Sequence, residues 1–205
     1  LVPSFELLHP SFTAGAPLQV ALIGAGRQGR QILGDLATIG EAQIVAVCDT
    51  DDSRLQSSLR RAQGLKGYAS HKELLEKEPG IAAVIVATPT HLHRDVVLDC
   101  LKAGKHVYCE APLAHTLEDT LAIAKAARDA KVVFAAGFQG RANPVYALAR
   151  SFVKVGVLRE LANCRAQDHN KSSWRTPGST PERDKELNWH LDPALSLGLV
   201  GEKGA

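Results

Sequence analysis

The sequence lacks a long apolar run and an excess of either charge. No stretch approaches the roughly 20 consecutive apolar residues that a membrane-spanning helix needs, so no membrane partner is expected. The 24 Lys and Arg residues are interspersed with 22 Asp and Glu residues, which leaves a net charge of +2. Nucleic-acid binding, which depends on a basic surface, is therefore not expected either. The sequence also contains no internal repeats and no low-complexity tract.

Cysteine is scarce, and its spacing is unlike that of a metal site. Three of the four cysteines lie in apolar strand or helix patterns, and the four positions are Cys48, Cys100, Cys109 and Cys164. We interpret them as reduced core thiols and predict no bound metal.

The composition is that of an ordinary globular protein, with 45% hydrophobic residues. A length of 205 residues allows one full domain with a large core and part of a second. The chain begins at Leu1, and residues 1–17 show no clear periodicity. We interpret these residues as a tail left by processing or by the choice of chain ends, with no visible secretory signal. A cytoplasmic location is expected, and periplasmic export stays open.

Apolar strands alternate with helical patterns over the first two thirds of the chain. Five strands are predicted, at residues 18–24, 42–49, 81–89, 105–112 and 131–139. These strands are apolar throughout and lack the half-polar alternation of an antiparallel sheet. We therefore predict an α/β fold, a Rossmann doubly wound parallel sheet covered by helices on both faces. Thr116 and Asp119 predict a capping box at the start of the last of these helices.

The pattern changes after residue 139. A helix is predicted over residues 143–156 and a longer strand over residues 158–169. Residues 170–193 are polar and rich in Pro and Trp, which predicts a long loop. Loops of that length are usually functional or disordered.

The motif Gly-Ala-Gly-Arg-Gln-Gly at residues 24–29 fits the pattern G-x-G-x-x-G. It directly follows a predicted strand and opens a predicted helix. Gly24 permits a tight turn, Gly26 lets the backbone approach a pyrophosphate, and Gly29 allows close packing of helix on strand. The helix N-terminus offers free N–H groups to the phosphates. We predict dinucleotide binding, with a purely structural glycine turn as the alternative.

Asp49 ends the second strand, 20 residues after Gly29. An acidic residue at this place accepts hydrogen bonds from the adenosine ribose hydroxyls and repels a 2′-phosphate. The predicted cofactor is therefore NAD rather than NADP. Arg27 and Arg54 could offset that repulsion, although both also fit a solvated helix face.

Polar residues stand at the carboxyl ends of the next two strands, where ligands bind in open α/β sheets. Pro89 stops the third strand, and Thr88 before it faces the predicted crevice. His91 and His93 begin the following helix, and either is a solvated cap residue or a cofactor contact. We interpret Glu110, at the end of the fourth strand, as a ribose or nicotinamide contact rather than a surface carboxylate.

Five segments together resemble the Gfo/Idh/MocA family (glucose–fructose oxidoreductase, inositol dehydrogenase, rhizopine catabolism). In chain order they are VALIGAGRQG, AVCD, VIVATPTHLH, AGKHVYCEAPLA and GFQGRANPVYALAR. The resemblance implies an NAD(P)-binding Rossmann domain, here residues 18–139. A second α/β domain with an open antiparallel sheet follows it, carries the substrate and often forms the oligomer interface. Residues 140–205 are expected to be the incomplete beginning of that domain, and the full-length protein is expected to be a homo-oligomer.

The resemblance also implies a role for individual residues. The pyrophosphate would be lined by Gly24, Gly26, Arg27, Gln28 and Gly29. The dinucleotide would be bordered by Thr88, His91 and His93. Asp49 would hold the adenosine ribose, Glu110 the nicotinamide ribose side, and Gln139 would lie near the nicotinamide. The crossover into the second domain would open with Arg141 and Asn143.

One departure from the family pattern concerns catalysis. The family motif after the fourth strand is usually Glu-Lys-Pro, and this chain has Ala111 in the place of the lysine. The Ala111–Pro112 peptide bond is expected to be cis, as in relatives that carry the full motif. Proton transfer would then fall to another group, for which the candidates are His169 and His190. Candidate substrate contacts are Arg141, Trp174 and Arg175, and tryptophan offers a flat platform for a sugar. The alternative role of a loop anchor is open for His169, Trp174, Arg175 and His190.

The predicted function is that of an NAD-dependent oxidoreductase that acts on a small-molecule sugar, polyol or related carbohydrate by hydride transfer. One alternative is an NAD-dependent glycosidase, which oxidises the sugar transiently and eliminates the aglycone, so that net turnover is redox-neutral. The other alternative is a dinucleotide-binding protein without turnover.

Overall fold

A six-stranded parallel sheet forms the centre of the molecule. The computed structural model describes residues 16–62, 64–160, 162–165, 167, 169 and 174–204, so most of the predicted N-terminal tail lies outside it. The strands are β1 (Leu18–Ile23), β2 (Ala42–Cys48), β3 (Lys66–Tyr68), β4 (Ala83–Val86), β5 (His106–Glu110) and β6 (Phe134–Gly137). Their order across the sheet is β3-β2-β1-β4-β5-β6, and every neighbouring pair is parallel. This is the doubly wound order of the Rossmann fold, and the predicted fold class is confirmed.

Helices connect the strands and continue beyond them. They are α1 (Arg27–Leu36), α2 (Asp52–Leu59), α3 (His71–Lys77), α4 (His93–Lys102), α5 (Leu117–Asp129), α6 (Gln139–Ala142), α7 (Pro144–Lys154), α8 (Pro181–Leu187) and α9 (Gly198–Gly204). Short 3₁₀ turns cover Thr90–Leu92 and Trp189–Leu191. Thr116 caps α5 as predicted, since its hydroxyl accepts from the Asp119 N–H at 3.1 Å. None of the helices described here is both long and apolar enough to cross a membrane.

The apolar strands bury side chains on both faces of the sheet. Along β1, Ala21 and Ile23 join one core cluster while Val20 and Leu22 join the other, as the two-residue period of a strand requires. Three of the four cysteines lie in the first cluster, and burial raises the pKa of each to about 12; they are Cys48, Cys100 and Cys109. The structure confirms that these are free, buried thiols, whereas Cys164 is exposed.

Three predictions about individual elements are wrong. The sheet has a sixth strand, β3, whose sequence Lys-Gly-Tyr has no apolar alternation and which forms by pairing with the edge of β2. The described residues of 158–169 form no strand, because a strand needs a hydrogen-bonded neighbour and the six described strands pair among themselves. The predicted loop over 170–193 contains α8, where Thr180 accepts from the Arg183 N–H and Pro181 occupies the first turn.

Helix α7 lies on the surface with an exposed apolar face. None of its residues is buried, and Val145, Leu148 and Phe152 are exposed large hydrophobic residues. Asn143 caps this helix, since its side-chain oxygen accepts from the Val145 N–H at 2.9 Å. The family resemblance places Asn143 only at the crossover into the second domain.

Candidate cofactor-binding site

The strand order reverses between β1 and β4, which are neighbours at the centre of the sheet. Ile23 pairs with Val86 at their carboxyl ends, and the Ala87 N–H donates to the Ile23 carbonyl at 2.8 Å. The turns that follow β1 and β4 therefore emerge side by side. We call the space above them the crevice, and it is the place where doubly wound folds bind ligands.

The glycine turn after β1 forms the floor of the crevice. Gly24 has φ +99°, and a Cβ there would lie 2.5 Å from the Ala87 carbonyl oxygen. A Cβ on Gly29 would lie 1.9 Å from the Gly24 carbonyl oxygen, so the contact of α1 with this turn also requires glycine. A Cβ on Gly26 would meet nothing within 4 Å. The fold itself thus requires Gly24 and Gly29, whereas Gly26 leaves space over the N-terminus of α1 that a ligand can fill.

Asp49 connects this turn with the turn after β2. The residue is 8% exposed, and its two carboxylate oxygens accept from the Ala25 N–H at 2.7 Å and from the Asp51 N–H at 2.8 Å. A carboxylate has about four acceptor sites. Asp49 therefore orients both turns and keeps lone pairs for further donors such as ribose hydroxyls.

Buried polar atoms without a partner among the described residues cluster at the carboxyl ends of β4 and β5. They are Thr88 Oγ1, His91 Nδ1 and His115 Nδ1. Buried polar groups in folded proteins are nearly always hydrogen-bonded. The Thr88 hydroxyl follows β4 at the crevice, and a bound ligand there would satisfy it.

Glu110 reaches from the end of β5 across to the N-terminus of α1. Its Oε1 atom accepts from Gln28 Nε2 at 3.3 Å and from the Tyr108 hydroxyl at 3.3 Å. Burial, together with the Glu110 charge, raises the pKa of Tyr108 to about 12, so the phenol stays a donor. Gln28 and the adjacent Arg27 are exposed at the start of α1. The structure thus brings Gln28 and Glu110 together, and it adds Tyr108, which no sequence motif had indicated.

His93 lies beneath the crevice rather than on its surface. The side chain is 1% exposed, with Nε2 at 2.8 Å from the Thr88 carbonyl oxygen and Nδ1 at 3.0 Å from the Pro112 carbonyl oxygen. Burial lowers the pKa of His93, although both carbonyls favour the protonated ring. The imidazole therefore links the loop after β4 to the loop after β5. The geometry favours a positioning role over the direct cofactor contact that the sequence suggested. The Ala111–Pro112 bond in the second loop is cis, as predicted.

A row of aromatic rings connects the C-terminal segment, residues 174–204, to the crevice. Successive rings are Trp174, His190, Trp189, His91 and His115, with centroid separations of 4.4, 5.8, 5.5 and 6.5 Å. His190 Nε2 lies 2.6 Å from the Trp174 carbonyl oxygen. The row joins two residues predicted in the C-terminal segment to one predicted beside the cofactor. Trp189, which makes the junction, was missed because a lone tryptophan carries no motif.

The remaining predicted site residues are all exposed at the surface. Gln139 is exposed at the start of α6, and the Arg141 guanidinium lies 4.5 Å from the centre of the Phe138 ring. Arg175 forms an ion pair of 2.8 Å with Asp184. His169 is exposed and is not a member of the aromatic row.

A second link between the C-terminal segment and the crevice involves Glu202. One of its carboxylate oxygens accepts from the Thr90 hydroxyl at 2.8 Å, and the other accepts from the Ser196 hydroxyl and the Leu197 N–H, each at 3.2 Å. Glu202 thereby fixes α9 to the 3₁₀ turn that follows β4. The two partners are 112 residues apart, so no local sequence signal announces the contact.

Residues 18–138 match the model of the oxidoreductase family with an NAD-binding Rossmann fold, Gfo/Idh/MocA. The chain belongs to the Gfo/Idh/MocA family. It is 27% identical over 196 residues to levoglucosan dehydrogenase of Pseudarthrobacter phenanthrenivorans, and this match covers 90% of this chain and 48% of that protein. It is 30% identical over 141 residues to myo-inositol 2-dehydrogenase of Thermotoga maritima, and this match covers 69% of this chain and 42% of that protein.

A solved structure of a similar protein has the same fold over most of this chain. The WlbA dehydrogenase from Chromobacterium violaceum, in complex with NADH and UDP-GlcNAcA, superposes with a TM-score of 0.65 at 31% identity. The match covers 70% of this chain and 41% of that one. The chain thus spans less than half the length of each of these three relatives.

The crevice fits the NAD that defines the family. Gly26 leaves room for a pyrophosphate, Asp49 keeps acceptors for a ribose, and the Thr88 hydroxyl lacks a partner within the described residues. The predicted cofactor class is therefore supported both by the family and by the geometry of this chain.

Proposed function

We propose that this protein is an NAD-dependent oxidoreductase that acts on a sugar, a polyol or a related carbohydrate. The observation that carries the proposal is the glycine turn at the point where the strand order reverses. In this turn Gly26 leaves open space above the N-terminus of α1. The carbohydrate class is supported by relatives named as levoglucosan and inositol dehydrogenases. When bound, the nicotinamide would supply the hydride chemistry, while the protein orients it and handles the proton.

Within this proposal, each part of the crevice holds one part of the dinucleotide. The pyrophosphate lies against Gly24, Gly26, Arg27, Gln28 and Gly29. Asp49 accepts from the adenosine ribose, and Thr88 and His91 border the dinucleotide. Glu110 and Gln139 serve the nicotinamide side, while His93 holds the two loops in place. Arg141, Trp174 and Arg175 are proposed as substrate contacts. Homo-oligomer formation and a cytoplasmic location stay predictions.

Titration of the chain with NAD⁺ and with NADP⁺ tests the cofactor assignment. NAD⁺ is expected to bind at least about tenfold more tightly, because a 2′-phosphate would face the Asp49 carboxylate. Asp49→Asn should weaken NAD⁺ binding about tenfold or more, since a charge-assisted acceptor is lost. Asp35→Asn removes an exposed carboxylate on α1 and serves as the matched control. Equal affinity for the two cofactors in the unaltered chain would contradict the assignment.

We also propose that a histidine replaces the family lysine in proton transfer, because Ala111 has no titratable group. His190 is favoured over His169, since the aromatic row connects it to His91 beside the crevice. In the full-length protein, His190→Ala is expected to lower kcat on a carbohydrate substrate by about 10²–10⁴-fold with little change in KM. His169→Ala is the comparison, and Ala111→Lys in the His190→Ala background should restore part of the rate. Wild-type rates in both histidine variants would overturn this proposal, and redox-neutral turnover would favour the glycosidase alternative.

A further inference from the structure

One carboxylate next to the predicted ribose site holds two arginines. Asp51 Oδ2 lies 3.5 Å from Arg54 Nε, and the same oxygen forms an ion pair with the Arg183 guanidinium. Arg54 belongs to α2, whereas Arg183 comes from α8, 132 residues further along the chain. Asp51 thus gathers two positive side chains from distant parts of the sequence at one point.

The carboxylate is firmly held in its charged form. Asp51 caps α2, with Oδ1 accepting from the Arg54 N–H at 3.1 Å and from the Ser53 hydroxyl at 2.8 Å. Burial would raise its pKa, but these hydrogen bonds and the Arg183 charge lower the pKa to about 2. Arg183 is also held by Glu186 at 2.9 Å. Near neutral pH both arginines therefore have their charge matched by neighbouring carboxylates.

This cluster lies where Rossmann folds distinguish their two cofactors. The acidic residue that ends β2 accepts from the ribose 2′-hydroxyl, and an arginine nearby accommodates a 2′-phosphate. Asp51 follows Asp49 by two residues, and its N–H donates to the Asp49 carboxylate at 2.8 Å. The two arginines that could bind a 2′-phosphate thus lie at the turn after β2, where they form ion pairs with Asp51 instead.

We propose that Asp51 determines the preference for NAD by keeping Arg54 and Arg183 from the 2′-phosphate of NADP. This inference rests on the proposed binding of a dinucleotide in the crevice. Asp49 repels the extra phosphate directly, whereas Asp51 acts by neutralising the groups that would attract it. Arg183 is accordingly a specificity residue supplied by the C-terminal segment, outside the Rossmann sheet.

The test measures binding of NAD⁺ and NADP⁺, and of AMP and adenosine 2′,5′-bisphosphate, to the 205-residue chain. Asp51→Asn keeps the side-chain shape and a capping oxygen but removes the charge. We expect it to shift the affinity ratio toward the 2′-phosphorylated ligand of each pair by about tenfold, because freed guanidiniums make charge-assisted hydrogen bonds to phosphate. Adding Arg183→Gln or Arg54→Gln to Asp51→Asn should each reverse part of that shift. Asp52→Asn, one residue away with its carboxylate bonded to Gln56, is the matched control and should leave the ratio unchanged.

The outcomes separate this inference from the proposed function. NAD⁺ binding with an unchanged ratio in Asp51→Asn would overturn the inference and leave the proposed function in place. A shift that survives removal of both arginines would also overturn it, because the effect would then be direct repulsion by Asp51. If the folded, unaltered chain binds none of the four ligands, the proposed function itself fails and the inference fails with it.

Discussion

Replacement of Gly26, the N-cap residue of α1, by alanine is expected to lower NAD⁺ affinity by about 100-fold while lowering stability by less than about 1 kcal/mol. The new Cβ would meet no protein atom within 4 Å, so the folded chain accommodates it. The same methyl group would occupy the space through which a pyrophosphate approaches the backbone N–H groups at the start of α1. Loss of two charge-assisted hydrogen bonds, at about 1.5 kcal/mol each, corresponds to that factor. Calorimetric titration gives the affinity, and thermal unfolding gives the stability.

Two further glycine variants serve as controls. Gly34→Ala changes the last turn of α1, where a Cβ also meets nothing within 4 Å, and should raise stability by up to about 1 kcal/mol without affecting affinity. Gly24→Ala should damage both properties, because φ of +99° alone costs about 1–3 kcal/mol and the Cβ would collide with Ala87. A Gly26→Ala protein that binds NAD⁺ normally would place the pyrophosphate elsewhere.

The second large effect is expected for His93→Leu, which should lower the free energy of unfolding by about 1–3 kcal/mol. Leucine fills a similar volume but leaves the Thr88 and Pro112 carbonyl oxygens without the imidazole. His93→Asn should recover part of the loss, because its amide can donate to one of the two. NAD⁺ affinity should fall as well, since both loops border the crevice. Urea denaturation of each variant measures the change in stability.

The pH dependence of stability provides an independent check on His93. Its pKa is lowered by burial, so the unfolded chain binds the proton more readily than the folded chain. Stability should therefore fall as the pH drops below about 6.5, and this loss should be smaller in His93→Leu. His71→Gln, which removes a partly exposed contact with Asp99, is the control and should change stability by less than about 1 kcal/mol. Equal pH profiles for His93→Leu and the unaltered chain would contradict the expectation that protonation of buried His93 destabilises the folded chain.

Features encoded by short sequence patterns were predictable. The apolar strands, the glycine turn and Asp49 depend on residues that are close in sequence, and their spacing alone indicated a doubly wound sheet with a dinucleotide site. The Thr116 cap of α5 was likewise visible in four residues. Strand β3 was missed, because its pairing with β2 rather than its composition makes it a strand.

Features that depend on distant contacts could not be read from the sequence. The sequence predicts His93 as a cofactor contact or a solvated cap residue, because the chain order gives no sign that the ring lies within hydrogen-bond distance of Pro112. The ion pair of Asp51 with Arg183 and the bond of Thr90 with Glu202 each join residues more than 100 positions apart. The strand predicted over 158–169 is wrong for its described residues, because these have no neighbouring strand among the six described ones.

The hydrogen bond between Thr90 and Glu202 couples the ordering of the turn after β4 to the docking of α9. The turn that carries Thr90 begins two residues after Thr88, so the order of that turn and the docking of α9 draw on the same contact. Thermodynamic linkage is reciprocal. A ligand that orders the turn strengthens the docking of α9 by a coupling free energy, and docking of α9 strengthens binding of that ligand by the same coupling free energy. Through this one side-chain hydrogen bond of 2.8 Å, α9 contributes to ligand affinity at the turn without contacting the ligand through its own backbone.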